Sequence, residues 1–293
     1  MKKNKIHIFD VIVYSISALL VLLVLYPLLL VVSNSISDPG LVASGKILFL
    51  PKGINFDGYV EFFKDKDIMT GYANSLFYTI LGTIVNLVVT LPAAYALNKS
   101  TLPGKSFFMT MFMITMYFSG GMIPLFLVVN SLGLYNTRWV LLILGAFNMY
   151  NCIICKSFFA AMPRDMEEAA EIDGCSPMKS FISITLPLSK ALLGVMVLYF
   201  GVAHWNSYFN AMIYIKDDSK QPLQVFLRRI LILAQTAADT ETGMDADLQI
   251  NLMNRELLMR YSSIVVASLP LIIIYPFLQK YFDKGVLIGS VKG

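Results

Sequence analysis

The chain has little charge. Asp, Glu, Lys and Arg make up 14% of its 293 residues, whereas a soluble domain typically carries about 25%. The net charge of +4 is small, and the lack of a basic cluster argues against nucleic-acid binding. Three cysteines and two histidines offer few metal ligands, and the C-x-x-C pair Cys152 and Cys155 lies in an apolar run, where packing is the expected role. With 57% hydrophobic residues, the composition predicts an integral membrane protein.

The chain also lacks the residue patterns of catalysis. No Ser/His/Asp or paired-carboxylate arrangement occurs in its apolar runs. Gly104-Lys105-Ser106 is like the end of a phosphate-binding loop, but the position of the loop's first glycine is occupied by Lys99. We therefore expect a protein that is not an enzyme and has no cofactor of its own.

Several apolar runs are long enough to cross a lipid bilayer, which takes about 20 residues. We predict six spans, and none contains Asp, Glu, Lys or Arg, so an ion-gradient-driven transporter is disfavoured. The runs are Val11–Val32, Gly71–Asn98, Ser106–Thr137 with a break near Gly120-Gly121 and Pro124, Trp139–Cys155, Ala191–Ile215 and Tyr261–Gln279.

Details of these runs lead to further expectations. Pro92 should kink the second span, and Pro270 and Pro276 should interrupt the sixth. The piece Ile230–Ala238 is too short to span and predicts a surface helix. Val11–Val32 is longer than the apolar part of a signal peptide and no cleavage site follows promptly, so it should be retained.

The distribution of lysines predicts the orientation. Six spans put both termini on one side, and the lysines near the termini mark that side as cytoplasmic; they are Lys2, Lys3, Lys5, Lys280, Lys284 and Lys292. We predict an all-α membrane protein of three parts. Residues 1–70 hold the first span and an outer loop, 71–281 the core with an extracytoplasmic loop at 216–260, and 282–293 a cytoplasmic tail.

The polar, charge-bearing interval in the middle of the chain, Pro163–Pro187, predicts two short helices joined by a glycine. Pro163 suits a first helical position. Acidic residues follow at the positive end of the helix dipole; they are Asp165, Glu167 and Glu168. Gly174 suits a left-handed residue after the helix, and Ser176-Pro177 begins another helix that Pro187 limits.

This interval carries a spaced pattern that resembles the EAA loop of membrane subunits of ATP-binding-cassette importers. The matching residues are Glu168, Ala169, Ala170, Gly174, Ile184, Leu186 and Pro187. In that family the loop is cytoplasmic and docks on a separate ATPase subunit. The resemblance implies that Glu168 orients the docking helix, that the two alanines permit close approach, and that Gly174 supplies the turn. Leu186-Pro187 would link the loop to the fifth span.

Weaker patches are similar to the oligosaccharide-uptake branch of that family, to which the maltose transporter's membrane subunits belong. They are Leu50-Pro51-Lys52-Gly53 with Tyr59, 205–211, 221–224 and the tail from Gln279 to Gly293. The resemblance implies a cell-membrane permease with a second permease subunit, two ATPase subunits that carry ATP and magnesium, and an extracytoplasmic solute-binding protein that delivers a sugar. We hypothesise that the tail touches the ATPases.

Polar residues near the end of the fifth span are candidates for a substrate pathway. His204, Trp205, Asn206 and Tyr208 combine hydrogen-bonding groups with the flat aromatic surfaces that sugars favour. Polar groups in a span usually face a bundle interior or a water-filled cavity, so hydrogen bonding between helices is an equal explanation. The resemblance is also compatible with a second permease subunit that makes most of the contacts with the sugar. An ion-gradient-driven transporter and a membrane scaffold remain the alternatives.

Overall fold

The computed structural model describes residues 8–163, 165–239 and 246–289. All regular secondary structure in these ranges is helical, which confirms the predicted all-α class. Contacts divide the chain into two compact units. The first combines residues up to Ile68 with Leu227–Pro270, and the second combines Met69–Phe226 with the residues from Leu271 onward. Lys2, Lys3, Lys5, Lys292 and the end of the predicted tail lie outside the described residues.

The helices are numbered here in chain order. They are α1 (Ile8–Ser35), α2 (Pro39–Ala43), α3 (Asp57–Lys64), α4 (Lys66–Asn98), α5 (Lys105–Tyr117), α6 (Met122–Ser131), α7 (Arg138–Ile143), α8 (Met149–Ala160), α9 (Asp165–Ile172), α10 (Pro177–Ser180), a π-helical turn (Phe181–Thr185), α11 (Leu186–Leu188), α12 (Lys190–Trp205), α13 (Phe209–Tyr214), a 3₁₀ turn (Asp218–Lys220), α14 (Leu223–Asp239) and α15 (Ala246–Gly289).

Three helical stretches in the described part of the chain are long and apolar enough to cross a membrane. They are α1, α4 and the Met253–Phe277 part of α15. Two bent pairs raise this number to as many as five, because α5 and α6 meet at 118° and the α10–α11 segment meets α12 at 86°. The break after Tyr117 confirms the one expected near Gly120-Gly121.

The fourth predicted span, Trp139–Cys155, is not one helix. α7 ends at Ile143 and α8 begins at Met149. Asn148 has an extended backbone, with φ −133° and ψ 120°, and its side chain accepts a hydrogen bond from the N–H of Asn151. An asparagine that caps a following helix in this way competes with continuation of the preceding one. A hydropathy profile does not show this break, because the whole run is uncharged.

The ends of other predicted elements also differ from the structure. α15 continues through Pro270 and Pro276, so the predicted interruption is wrong; each proline removes a single donor, a loss that membrane helices tolerate. α12 ends at Trp205, before the predicted Ile215. α9 begins at Asp165, so Pro163 precedes the described helix.

The first unit ties the loop after α1 to that helix. The Oγ of Ser33 donates to the Phe49 carbonyl at 2.6 Å, and the Oγ of Ser35 lies 2.7 Å from the hydroxyl of Tyr59. Gly53 has φ +63°, and a Cβ there would lie 2.9 Å from the Cβ of Asp38. The Leu50–Gly53 patch and Tyr59 therefore have a structural role in this loop.

The core of the second unit lies among α4, α8 and α12. Its buried residues are Leu91, Ala94, Tyr95, Leu97, Met149, Cys152, Cys155, Phe159, Phe181, Leu192, Met196 and Phe200. The two cysteines are fully buried and free, which confirms their predicted packing role. This core places the ends of α4, α8 and α12 next to the α9–α10 loop.

Candidate functional site

The turn between α9 and α10 has the geometry predicted for Gly174. Its φ is +73°. The N–H of Cys175 donates to the Ala170 carbonyl at 2.9 Å, and the N–H of Gly174 donates to the Glu171 carbonyl at 3.1 Å. These two bonds form a Schellman motif, which ends a helix at a left-handed residue. The Oγ of Ser176 then caps α10 by accepting the N–H of Lys179. Two short helices joined by a glycine are thus confirmed.

α9 presents two faces of different character. Residues three and four apart share a helix face, so Glu167, Ala170 and Glu171 form one face, and Ala170 is the residue of α9 that is buried. The opposite face is exposed and mixes acidic and apolar groups; it carries Asp165, Glu168, Ala169 and Ile172. We call it the outer face of α9. The two predicted alanines therefore lie on opposite faces.

The inner face of α9 is held by the end of α4. The ammonium of Lys99 donates to the carboxylate oxygens of Glu167 and Glu171, at 2.8 Å each. The hydroxyl of Tyr95 also donates to Glu167. The Lys99 ammonium lies 5.3 Å from the centre of the Tyr95 ring, within the range of a cation–π contact. We call this group, Tyr95, Lys99, Glu167 and Glu171, the α4–α9 clamp.

The clamp keeps Lys99 charged. Burial alone would lower the pKa of the Lys99 ammonium, but the hydrogen bonds to Glu167 and Glu171 outweigh it and raise that pKa above its usual range. A lysine whose folded pKa is raised contributes stability at every pH below its unfolded pKa, and loses it only as the pH rises through the folded value. The clamp should therefore persist throughout the neutral range.

The other end of the loop leads into α12 through a single turn residue, Ser189. Pro187 has no N–H to donate, and just before it the N–H of Leu186 donates to the Phe181 carbonyl, five residues earlier. This wider turn spans Phe181–Thr185 and includes Ile184. The Oγ of Ser189 donates to the Thr185 carbonyl at 2.6 Å, at the 86° bend into α12. Movement of the loop would thus reach α12 through a short, hydrogen-bonded joint.

A cleft of about 230 Å³ lies between α9 and this joint. Glu168 and Ile184, two residues of the predicted pattern, both line it, together with Met166, Lys105 and Leu188. The structure therefore brings separate parts of the pattern to one surface feature. Gly174, in contrast, has open space where a Cβ would lie, so its requirement is one of backbone conformation.

His204 lies in a polar contact between helices. Its Nε2 is 2.6 Å from the Oδ1 of Asn86 on α4, and the Nδ2 of Asn86 donates to the carbonyl of Gly145 between α7 and α8. The imidazole also packs closely against the backbone of Gly82. A Cβ at Gly82 would lie 2.5 Å from Nε2 and 2.7 Å from Nδ1 of His204. We call Gly82, Asn86, Gly145 and His204 the intramembrane cluster; it ties α12 to α4 and to the α7–α8 break.

The other three pathway candidates occupy different environments. Trp205 is 2% exposed, and its ring meets that of Tyr72 edge-on at 5.6 Å between centres. Asn206 caps the end of α12 and is exposed, and Tyr208 precedes α13 with 37% exposure. Among these four residues, Asn206 and Tyr208 are therefore the ones that present accessible side chains.

The clamp is not evident from the sequence. The helix dipole alone accounts for Glu167, and the sequence assigns no partner to Lys99. The usable signal was the i, i+4 spacing of Glu167 and Glu171, which puts two carboxylates on one face of a short helix. Their cation lies 68 residues before Glu167, and only the packing of α4 against this loop brings it within reach.

Comparison with known proteins gives consistent matches. A family model described as "Binding-protein-dependent transport system inner membrane component" matches residues 68–288. Protein LplC of Bacillus subtilis is 40% identical over 91% of this chain and 89% of its own length. The polygalacturonan/rhamnogalacturonan transport system permease protein YtcP of the same species is 37% identical over 99% of this chain and 100% of its own.

A solved structure matches as well. The crystal structure of a bacterial ABC transporter involved in the import of the acidic polysaccharide alginate has a TM-score of 0.84, with 32% identity, 96% of this chain covered and 99% of that chain. The matched family region includes α9, the clamp and the intramembrane cluster. The chain therefore belongs to the binding-protein-dependent transport system inner membrane components, as a multi-pass membrane permease protein.

Proposed function

We propose that this chain is the permease subunit of an ATP-driven importer, with six spans and both termini in the cytoplasm. The family match and the similarity to the alginate transporter support this proposal. In this topology α5–α6 and α7–α8 each count as one broken span, which puts α9 on the cytoplasmic side. Residues 1–70, 71–281 and 282–293 would be the first span with its outer loop, the core, and the tail.

The observation that carries the proposal is the outer face of α9. Ile172 is 86% exposed there, beside the exposed Glu168 and Ala169, while the inner face is tied to α4. A large apolar side chain so exposed on a short polar loop fits a protein partner. The partner that suits it is a separate ATPase subunit, which would hold ATP and magnesium.

For the substrate we propose an oligosaccharide delivered by an extracytoplasmic binding protein. The name of YtcP supports an acidic one, as does the description of the alginate transporter. Other relatives are named for galactooligosaccharides and arabinooligosaccharides. Because the predicted spans of this chain hold no lysine or arginine, a second permease subunit or the binding protein would supply any cation that pairs with uronic acids.

The proposed mechanism is alternating access. ATP binding closes the ATPase dimer and carries α9 with it. The joint at Phe181–Ser189 passes this movement to α12, and the spans rock so that their cavity opens outward. The binding protein then releases its sugar, and ATP hydrolysis returns the cavity to the cytoplasmic side.

The first test is a pull-down of the tagged chain from native membranes in mild detergent, with mass spectrometry of the co-purifying proteins. We expect an ATPase and a second permease subunit. Ile172→Gln should lower ATPase recovery by about tenfold or more, since burying one isoleucine contributes about 1.5–3 kcal/mol. Leu50→Gln is the control, because Leu50 is 76% exposed in the loop after α1. A chain that purifies alone and still moves solute across vesicles would indicate a secondary transporter instead.

A second test concerns the turn at Gly174. Gly174→Val should leave the protein inserted and monodisperse but reduce substrate-stimulated ATP hydrolysis, because a left-handed β-branched residue costs about 1–2 kcal/mol and disturbs the end of α9. Gly174→Asn is the matched control, since asparagine tolerates this conformation. The measurement is ATP turnover of the reconstituted complex with binding protein and sugar. Normal stimulation in the valine variant would contradict the assigned role of the turn.

A further inference from the structure

α9 buries little apolar surface. It contains eight residues, of which Ala170 is the buried one. A helix this short is not stable in isolation. Its orientation must therefore depend on contacts with the rest of the chain, and the contacts of its inner face are mainly polar.

These polar contacts converge on Lys99. The side chain of Lys99 is only 19% exposed, and that of Glu167 is 24% exposed, so solvent screens their attraction less than that of a surface pair. The backbone N–H of Lys99 donates to the carbonyls of Tyr95 and Ala96, which fixes Lys99 to the last turn of α4. The ammonium thus joins α9 to the end of a spanning helix.

α4 continues from this point into the intramembrane cluster. Asn86, thirteen positions before Lys99 in the sequence, contacts His204 of α12 and the carbonyl of Gly145. A displacement of α9 that the clamp transmits would therefore move a helix that holds both α12 and the α7–α8 break. This route is separate from the covalent joint at Phe181–Ser189.

We propose that Lys99 is a positioning residue for energy coupling. By bridging Glu167 and Glu171 it makes α4 follow α9, so that ATPase movement reaches the transport pathway through two connections. This inference rests on the proposed function, since it requires an ATPase that moves α9. It assigns a role to residues outside the pattern by which the loop was identified.

The test compares Lys99→Met, which removes the charge and keeps the length, with Lys99→Arg, which keeps donors for both carboxylates. A spin label at Ile172→Cys, in a Cys175→Ser background, reports the mobility of α9 in the full-length purified chain. We expect higher label mobility for Lys99→Met and near-normal mobility for Lys99→Arg, while the thermal midpoint in detergent stays within a few degrees of the parent.

The coupling readout uses the unlabelled importer in proteoliposomes. For Lys99→Met the amount of sugar imported per ATP hydrolysed should fall about tenfold or more, because the variant loses both charge-assisted hydrogen bonds of the clamp. Lys99→Arg should stay within about twofold of wild type. Lys99→Glu should also lose coupling, and Glu171→Lys added to it should restore much of it, since the cation again lies between two carboxylates.

The outcomes separate the two proposals. If wild type imports sugar with its ATPase but Lys99→Met keeps both its mobility and its coupling ratio, the positioning role is wrong. The same conclusion follows if Lys99→Arg fails as badly as Lys99→Met. If wild type recruits no ATPase, the proposed function fails first and the coupling role of Lys99 fails with it.

Discussion

Gly82→Ala is expected to destabilise the protein by about 1–3 kcal/mol, the usual cost of forcing an extra carbon into a packed interior. The added Cβ would lie 2.5 Å from Nε2 of His204. The imidazole cannot turn aside freely, because its hydrogen bond to Asn86 holds it in place. The gain from alanine's better helix propensity, about 1 kcal/mol at most, offsets only part of this cost. The measurement is the thermal midpoint of the detergent-solubilised chain.

Gly201→Ala is the matched control on α12. A Cβ at Gly201 would meet the Oγ1 of Thr83 at 3.8 Å and the Cγ2 of Thr79 at 4.0 Å, which are ordinary van der Waals distances. This substitution should therefore leave the midpoint unchanged or raise it slightly, since alanine favours helix. Gly82→Ala should therefore lower the thermal midpoint, whereas Gly201→Ala should not. A lower midpoint for both variants, or for neither, would show that the contact between Gly82 and His204 does not determine helix packing.

Asn86→Leu is expected to have the second large effect. Asn86 is 2% exposed, and its replacement leaves Nε2 of His204 and the carbonyl of Gly145 without their shared partner. Leaving buried polar groups unpaired costs about 1–3 kcal/mol each. The double variant Asn86→Leu with His204→Leu should be less unstable than the sum of the single variants, by about 1–2 kcal/mol.

The double-mutant cycle has a functional meaning as well. A coupling energy of that size would assign His204 to helix packing and leave Asn206 and Tyr208 as the accessible pathway candidates. Tyr208→Phe combined with Asn86→Leu is the control pair and should be additive. If His204 and Asn86 prove additive too, the imidazole is free to serve a cavity, and its substitution should then change sugar transport rather than the thermal midpoint.

Local features of the sequence were sufficient to predict the class of the protein and the form of its polar loop. Composition and the uncharged runs predicted an all-α membrane protein, and Gly174 with Ser176-Pro177 predicted the turn and the restart of the helix. These predictions depend on the intrinsic preferences of residues and their close neighbours, which act over a few positions. The same applies to the break near Gly120-Gly121. The prediction of one helix at Trp139–Cys155 was wrong because a hydropathy profile does not detect a helix cap such as Asn148, and the run Ala191–Ile215 likewise does not show that α12 ends at Trp205.

Tertiary structure decided which groups meet. Lys99 contacts Glu167 and Glu171, and His204 contacts Asn86, across separations of 68, 72 and 118 positions in the sequence. Lysine, glutamate, histidine and asparagine have many equivalent partners in a chain of this length, and only the packing of α4 beside α9 and α12 selects among them. The sequence by itself therefore determined the class of the protein and the form of its polar loop. The packed helices determined how that loop is held, because an ion pair or a buried hydrogen bond requires ångström proximity.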